Sequence, residues 1–398
     1  MFVASPCWAA DYYLCGSPGQ GAADGTSSAN CANGQTAANW TTGINGLSAG
    51  QTLYINRGVT YGTFDLGNNV ALMSIAGTQD GTSTNKISIT AYGTGTNPLI
   101  RGTRTDSTCS NGGIGIRIAS DADYWSVSNI DFEGWEYGVF TSTSGTTPAG
   151  LIQGWDFQNM TISRVGFGFD IYGTANGVCS LPCYTVQSGA SSSWTFNTIT
   201  VQNFARTAFR FRNGNQNHTL TDITVTGGGS TYDVCNGGQL GFDIGGPSGG
   251  DTTPDRGFVM TRLRVNQIDN IVRDGTANME GDCFKNEPAS SGTITGNYMY
   301  DCGESVFDGK GDWDVYDMVM WQGTSVFKSY SGKDPNDSNT SGNLTTCTNC
   351  LIHSAQETGT VTQVANVAAY GRVHFFNSTI FGVEATPTLG SALFDIPT

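Results

Sequence analysis

The chain has 398 residues, including 55 glycines; only 13% are charged, and 18 basic against 33 acidic side chains give a net charge of −15. With no Lys/Arg cluster, that balance argues against nucleic acid or an anionic membrane as partner, and an acidic polymer would need a cation between it and the protein. No apolar run approaches the roughly 18 residues of a membrane span, and the abundance of Gly, Thr, Ser and Asn points to turns and polar strand faces rather than helix surface.

The start, "MFVASPCWAADYY", looks like the tail of a secretory signal over residues 1–9, because Cys7 and Ala9 are small residues where a signal peptidase prefers them. Cleavage after Ala9 leaves ten of the eleven cysteines, an even number. The cysteines show no zinc-ribbon spacing and accompany only three histidines, so they read as disulfides formed in an oxidising compartment, secreted or at the cell surface. Candidate pairings are Cys179–Cys183, Cys347–Cys350 and Cys283–Cys302. Residues 10–50 read as an N-terminal cap: Trp40, Ile44 and Leu47 fall at helical spacing before Gly50 and the strand "TLYI".

Residues 51–398 repeat. One pattern, a polar pair followed by apolar residues two apart, recurs as "SNIDF", "QNMTI", "NTITV", "TDITV", "TRLRV", "GNYMY" and "YDMVM". Its first apolar residues, Ile130, Met160, Ile199, Ile223, Leu263, Tyr298 and Met318, are 30, 39, 24, 40, 35 and 20 residues apart. Loops therefore vary while a strand core persists. A second strand follows in each turn and aligns Phe169, Phe209, Phe242, Phe284, Phe307, Phe327 and Phe394. Alternation along a strand sends the phenylalanines to one face and Asp170, Arg210, Asp243, Lys285, Asp308, Lys328 and Asp395 to the other. Turns of 20 to 40 residues without heptads describe an all-β chain, a right-handed parallel β-helix (solenoid) with a short N-terminal capping helix.

With those motifs in view, residues 36–398 resemble the pectate-lyase-like superfamily of secreted right-handed parallel β-helices. The local resemblance is to family 9 polysaccharide lyases, whose successive-turn motifs match "QLGFDIG", "GDCFKNE" and "SVFDGKG" in order. That resemblance implies calcium-assisted β-elimination on an acidic polysaccharide of the polyuronate type, with Lys285 as base and Asp243 as a calcium ligand. Gln239 and Leu240 stand where the family carries an adjacent acidic pair, so replacement ligands come from Asp251, Asp255, Asp282 or Glu304, with Asp308 on the next rung. Arg273 and Lys328 are further base candidates, and Arg210, Lys328 and Trp313 are candidates for substrate contact.

The residues alone also allow a structural account of Lys285. Coils lie about 4.8 Å apart, so Lys285 falls between Asp243 and Asp308, and an alternating ladder of charges would fix register without catalysis. Carboxylates on both sides stabilise an ammonium and spoil a base; calcium on those carboxylates reverses the argument. Asp308, Asp312, Asp314 and Asp317 read as an acidic turn, Lys310 as solvated, and Trp125, Trp135, Trp155, Trp194, Trp313 and Trp321 as packing residues unless they face outward. The ending "GSALFDIPT" stops within a ladder strand, and an uncapped coil invites end-to-end self-association. The alternative function is accordingly a non-catalytic adhesive or structural fibre subunit.

Overall fold

The structure, a computed structural model, describes residues 11–17, 24–104, 112–119, 121–141, 152–173, 191–228, 238–245, 255–268, 281–287, 290–329, 344–354, 363–367, 372–382 and 392–395. The reading of residues 1–9 as a signal remnant and the pair Cys179–Cys183 lie outside them. Within them the chain is nearly all β-strand, with one short helix, Ala37–Asn45, whose Trp40 and Ile44 are buried. No helix among the described residues is long and apolar enough to cross a membrane.

Twenty-eight strands hydrogen-bond into one sheet, and their pairings run parallel between one turn of chain and the next. A turn holds three strands rather than the expected two. In one turn these are Ser291–Thr295 and the two arms of the bent strand Tyr298–Gly309. The polar pair that opens each repeat is a corner. Asn129, Asn159, Thr198, Asp222, Arg262, Asp317, Asn349 and Asn377 hold φ between 46° and 59°, the left-handed region, and Gly296 takes the equivalent place. Asn and Asp tolerate that conformation because their short polar side chains bond locally, and here they also bond between coils. Asn159 Nδ2 donates to Asn129 Oδ1 (2.7 Å) and Asn377 Nδ2 to Asn349 Oδ1 (2.6 Å). A second set of left-handed residues, Gly134, Arg164, Asn203, Gln267 and Asp301, precedes the third strand.

The interior is a stack of like on like. Phe132, Ile162, Val201, Val225, Val265, Met299, Met320 and Ile352 succeed one another in register on the second strands, all fully buried. On the third strands Phe169, Phe209, Phe242, Phe284, Phe307 and Phe327 pair rung to rung as the sequence predicts, with neighbouring ring centroids 4.9 to 5.8 Å apart. Phe394 belongs to the row too, one rung further on, because Ala365 is interposed between it and Phe327. Offset stacking of this kind adds about 0.5–1.5 kcal/mol per pair beyond burial.

Register corrects the first repeat at one place. Tyr298 pairs with Arg264 and Val319, so it faces outward, and Asn297 fills the inward position beside Leu263. The buried Asn297 side chain is half satisfied: its Oδ1 accepts the Leu263 N–H at 2.6 Å, while its Nδ2 has no hydrogen-bond partner. Disulfides Cys283–Cys302 and Cys347–Cys350 form as expected, and Cys15–Cys31 joins the strands of the cap region.

Candidate active site

The outer face of the third strands carries the charged row in the expected register: Asp170, Arg210, Asp243, Lys285, Asp308 and Lys328 on six successive coils. The ion pairs do not simply run rung to rung. Arg210 binds Asp170 through Nε (2.7 Å) and Nη2 (2.5 Å), and its guanidinium lies 4.2 Å over the Phe167 ring. Burial works against the Arg210 charge, but the Asp170 carboxylate outweighs it and holds the guanidinium above its usual value. Asp243 is met by Arg212 Nη2 at 2.6 Å. Arg212 stands two residues beyond Arg210, on the same outward parity, and sequence reasoning passed over it; the signal was the "RFR" alternation.

Lys285 and Lys310 converge on one carboxylate. Lys285 Nζ is 3.8 Å and Lys310 Nζ 3.5 Å from Glu287 Oε1, and Lys310 also reaches Asp308 Oδ2 at 3.2 Å. Lys310 is therefore a member of the site and not the solvated turn residue expected. Burial disfavours its charge, but Asp308 and Glu287 overcome that and raise it above the ordinary lysine value. Lys328 is buried and bonded to Glu304.

Asp282 shows how a local break in alternation builds the site. Strict alternation would place it on the Phe284 side. Instead the two residues after it both face the core: Cys283 is bonded to Cys302, and at the equivalent place one coil earlier a side chain on Gly241 would run into Val265. Asp282 is thereby turned outward, buried, beside Asp308 and Glu304. Burial, then the like charges of Asp308 and Glu304, push its carboxyl well above the usual range, with Lys328 opposing. Asp243, Asp282 and Asp308 each leave one buried carboxylate oxygen without a hydrogen-bond partner. Among the described residues no three His, Cys, Asp or Glu side chains stand close enough together to hold a metal ion.

The other expectations resolve as follows. Arg273 and Asp251 lie outside the described residues. Asp255 is a framework carboxylate: its Oδ1 accepts the N–H groups of Gly214 (2.9 Å) and Asn215 (2.6 Å), and its Oδ2 that of Gly245 (3.0 Å). Trp313 is 1% exposed, its Nε1–H donating to Ser290 Oγ (3.2 Å) and its ring 5.1 Å from Phe284, so it presents no face to a sugar. Its register explains this: Phe258, Gly292 and Trp313 continue the inward row of Trp155, Trp194 and His218, and the ring occupies the space a side chain on Gly292 would take. The acidic segment holding Asp312 and Asp314 is a strand, Asp312–Tyr316, and not a turn; Asp312 accepts the Leu344 N–H (2.7 Å), and Asp317 forms the corner after it.

No family model matches the chain, and no curated protein matches it. Solved structures do. A pectate lyase, Pel9A, aligns with a TM-score of 0.59 at 13% identity, covering 92% of this chain and 78% of its own. A rhamnogalacturonan lyase aligns with a TM-score of 0.50 at 11% identity, covering 95% and 89%. Both are β-helix-type proteins, and the likeness is one of fold.

Proposed function

We propose that the chain is a right-handed parallel β-helix of the family 9 lyase type that acts outside the cell as a polysaccharide lyase, cleaving an acidic glycan by β-elimination. The observation that carries the reading is the pair Lys285 and Lys310 on one carboxylate, within a buried strip of charge on the outer face of the third strands. The pectate-lyase and rhamnogalacturonan-lyase folds of the two neighbours support the substrate class, and the disulfides support the location.

In this reading Lys310, held charged by Asp308 and Glu287, orients the uronate carboxylate, and Lys285 is the base. Its neutral amine takes the proton α to that carboxylate. The electron pair forms a carbon–carbon double bond, the β carbon–oxygen bond breaks, and the leaving oxygen gains a proton. Arg210 and Arg212 are bound to Asp170 and Asp243, so they stiffen the wall of the strip rather than grip substrate.

Five cations (Arg210, Arg212, Lys285, Lys310, Lys328) face six carboxylates (Asp170, Asp243, Asp282, Glu287, Glu304, Asp308) there, a balance that does not favour a polyanion. In this reading Asp282 and Asp308, each with an orphaned buried oxygen, would be the protein's ligands to calcium, which would supply positive charge that neutralises the substrate carboxylate. Asp243 and Glu304 are engaged by Arg212 and Lys328.

The test is ultraviolet absorbance of unsaturated products from polygalacturonate and related polyuronates, in calcium and in chelator, with wild type and Lys285→Ala. Calcium-dependent absorbance that disappears in a folded Lys285→Ala variant is expected. Absence of product on every polyuronate, or an active Lys285→Ala, would leave Lys285 as a rung of a structural ladder and favour the fibre or adhesin.

A further inference from the structure

Of the seven tryptophans in the described residues six are buried, and the seventh, Trp321, is 37% exposed. Its place follows from alternation on the second strands: Met320 points into the core, so Trp321 points out. Register sets Asn266, Tyr300, Trp321 and His353 on four successive coils, and Arg264, Tyr298, Val319 and Leu351 beside them. Tyr298 and Tyr300 are 4.8 Å apart, ring to ring; Trp321 and His353 are 6.1 Å apart with their planes 30° from parallel. The Tyr300 hydroxyl is fixed, accepting from Asn266 Nδ2 at 2.8 Å. Neither row contains a carboxylate, in a chain of net charge −15.

We propose that this row is a carbohydrate-binding platform for an uncharged glycan chain laid across the coils, separate from the charged strip. Rings borne on successive coils, with Trp321 and His353 6.1 Å apart and near parallel, offer stacking surfaces to the C–H faces of consecutive sugars. The one charged side chain in the rows, Arg264, is hydrogen-bonded to Tyr300, so recognition there rests on ring faces and hydroxyls rather than on ion pairs.

The platform is too small to be the seat of a second copy. A Trp of roughly 250 Å² that is 37% exposed offers on the order of 90 Å². With Leu351 equally exposed and the remaining rings half-buried, the patch reaches on the order of 300 Å², against about 800 Å² per partner in a stable interface. Strand Tyr298–Gly309 carries Tyr298 and Tyr300 before the corner at Asp301 and Asp308 after it. One set of coils thus presents the aromatic row and the charged strip on adjoining faces.

Affinity electrophoresis of the full chain through gels containing hydroxyethyl cellulose, fully methyl-esterified homogalacturonan or polygalacturonate tests this, with sedimentation velocity alongside. Retardation by a neutral polymer is expected, weakened at least about tenfold by Trp321→Ala, largely kept by Trp321→Phe and unchanged by Lys285→Ala. If Trp321→Ala loses its native circular dichroism, Trp321→Gln and His353→Ala carry the same comparison. No retardation by either neutral polymer, retention of binding in the ring-deleted variants, or a wild-type dimer that Trp321→Ala dissociates would each overturn the proposal. Because Lys285→Ala is included, failure of the lyase reading leaves this result intact and readable.

Discussion

Replacing Arg210 with methionine keeps an unbranched side chain of similar length and removes the guanidinium, with it both bonds to Asp170, a carboxylate with no exposure to solvent, and the cation over Phe167. Taking one partner from a buried ion pair costs about 3–5 kcal/mol, because the remaining charge is left uncompensated. For 398 residues, an unfolding entropy of about 2.1 cal/mol/K per residue turns that cost into a Tm lowered by ~4–6 °C. Adding Asp170→Leu removes the orphaned charge and should recover most of the loss. Differential scanning calorimetry of wild type, Arg210→Met and the double variant measures both steps. A single variant within about 1 °C of wild type, or a double variant no better than the single, would refute the account of Arg210 as an internally satisfied wall residue. In the same series KM should move little, whereas an arginine that grips substrate would raise it.

Three further expectations follow from the described residues. His218 is buried with its pKa pushed down to about 3 by desolvation, and its Nδ1 accepts the Trp194 N–H at 3.1 Å. The folded state therefore binds fewer protons than the unfolded state below about pH 6.5, and stability falls as pH falls across that window, by about 2 kcal/mol at pH 5; in denaturant melts the stability of wild type relative to His218→Phe should drop by about that amount between pH 8 and pH 5. Asp282 has the opposite sign: its folded pKa is raised, so its cost grows as pH rises from the usual carboxylate range. Asp282→Asn should raise Tm at pH 7–8 and not at pH 4, and calcium should raise the Tm of wild type more than that of the variant. Asn159 holds φ at 51° and bonds Asn129 across coils, so Asn159→Ala should cost about 1–2 kcal/mol and Asn159→Gly less, measured by urea melts.

The third-strand ladder was legible because two signals coincide at each rung, a phenylalanine and a charged neighbour, and the register confirms Asp243, Lys285 and Asp308 as consecutive. The corners were not. Residues as unlike as Asn159, Thr198 and Arg262 share the left-handed conformation, because the coil around them sets the bend and the residue type only eases it. The first strand of each turn was lost for the same reason, since it runs into the second across a single bent residue. Alternation failed at Asp282 because two successive side chains face inward, which no period of two anticipates. Trp313 could have been placed: "WDF", "WTF" and "HTL" open equivalent strands, and a tryptophan or histidine at that step stacks inward, with Trp155 and Trp194 5.7 Å apart and Trp194 and His218 5.8 Å apart. Arg212, Glu287 and Lys310 became members of the site only when the strand's second outward position was seen to converge on the first.

The alternation of sign from Asp243 through Lys285 and Asp308 to Lys328 also constrains how such a chain can lengthen. Excising the coil that carries Asp308 would leave the phenylalanine stack continuous and bring Lys285 against Lys328, like on like. Removing that coil together with the one that carries Lys285 would set Asp243 against Lys328 and restore opposite signs. Growth or loss by whole coils in this region is therefore tolerated in pairs, a parity rule imposed by charge on a core that by itself would accept any number.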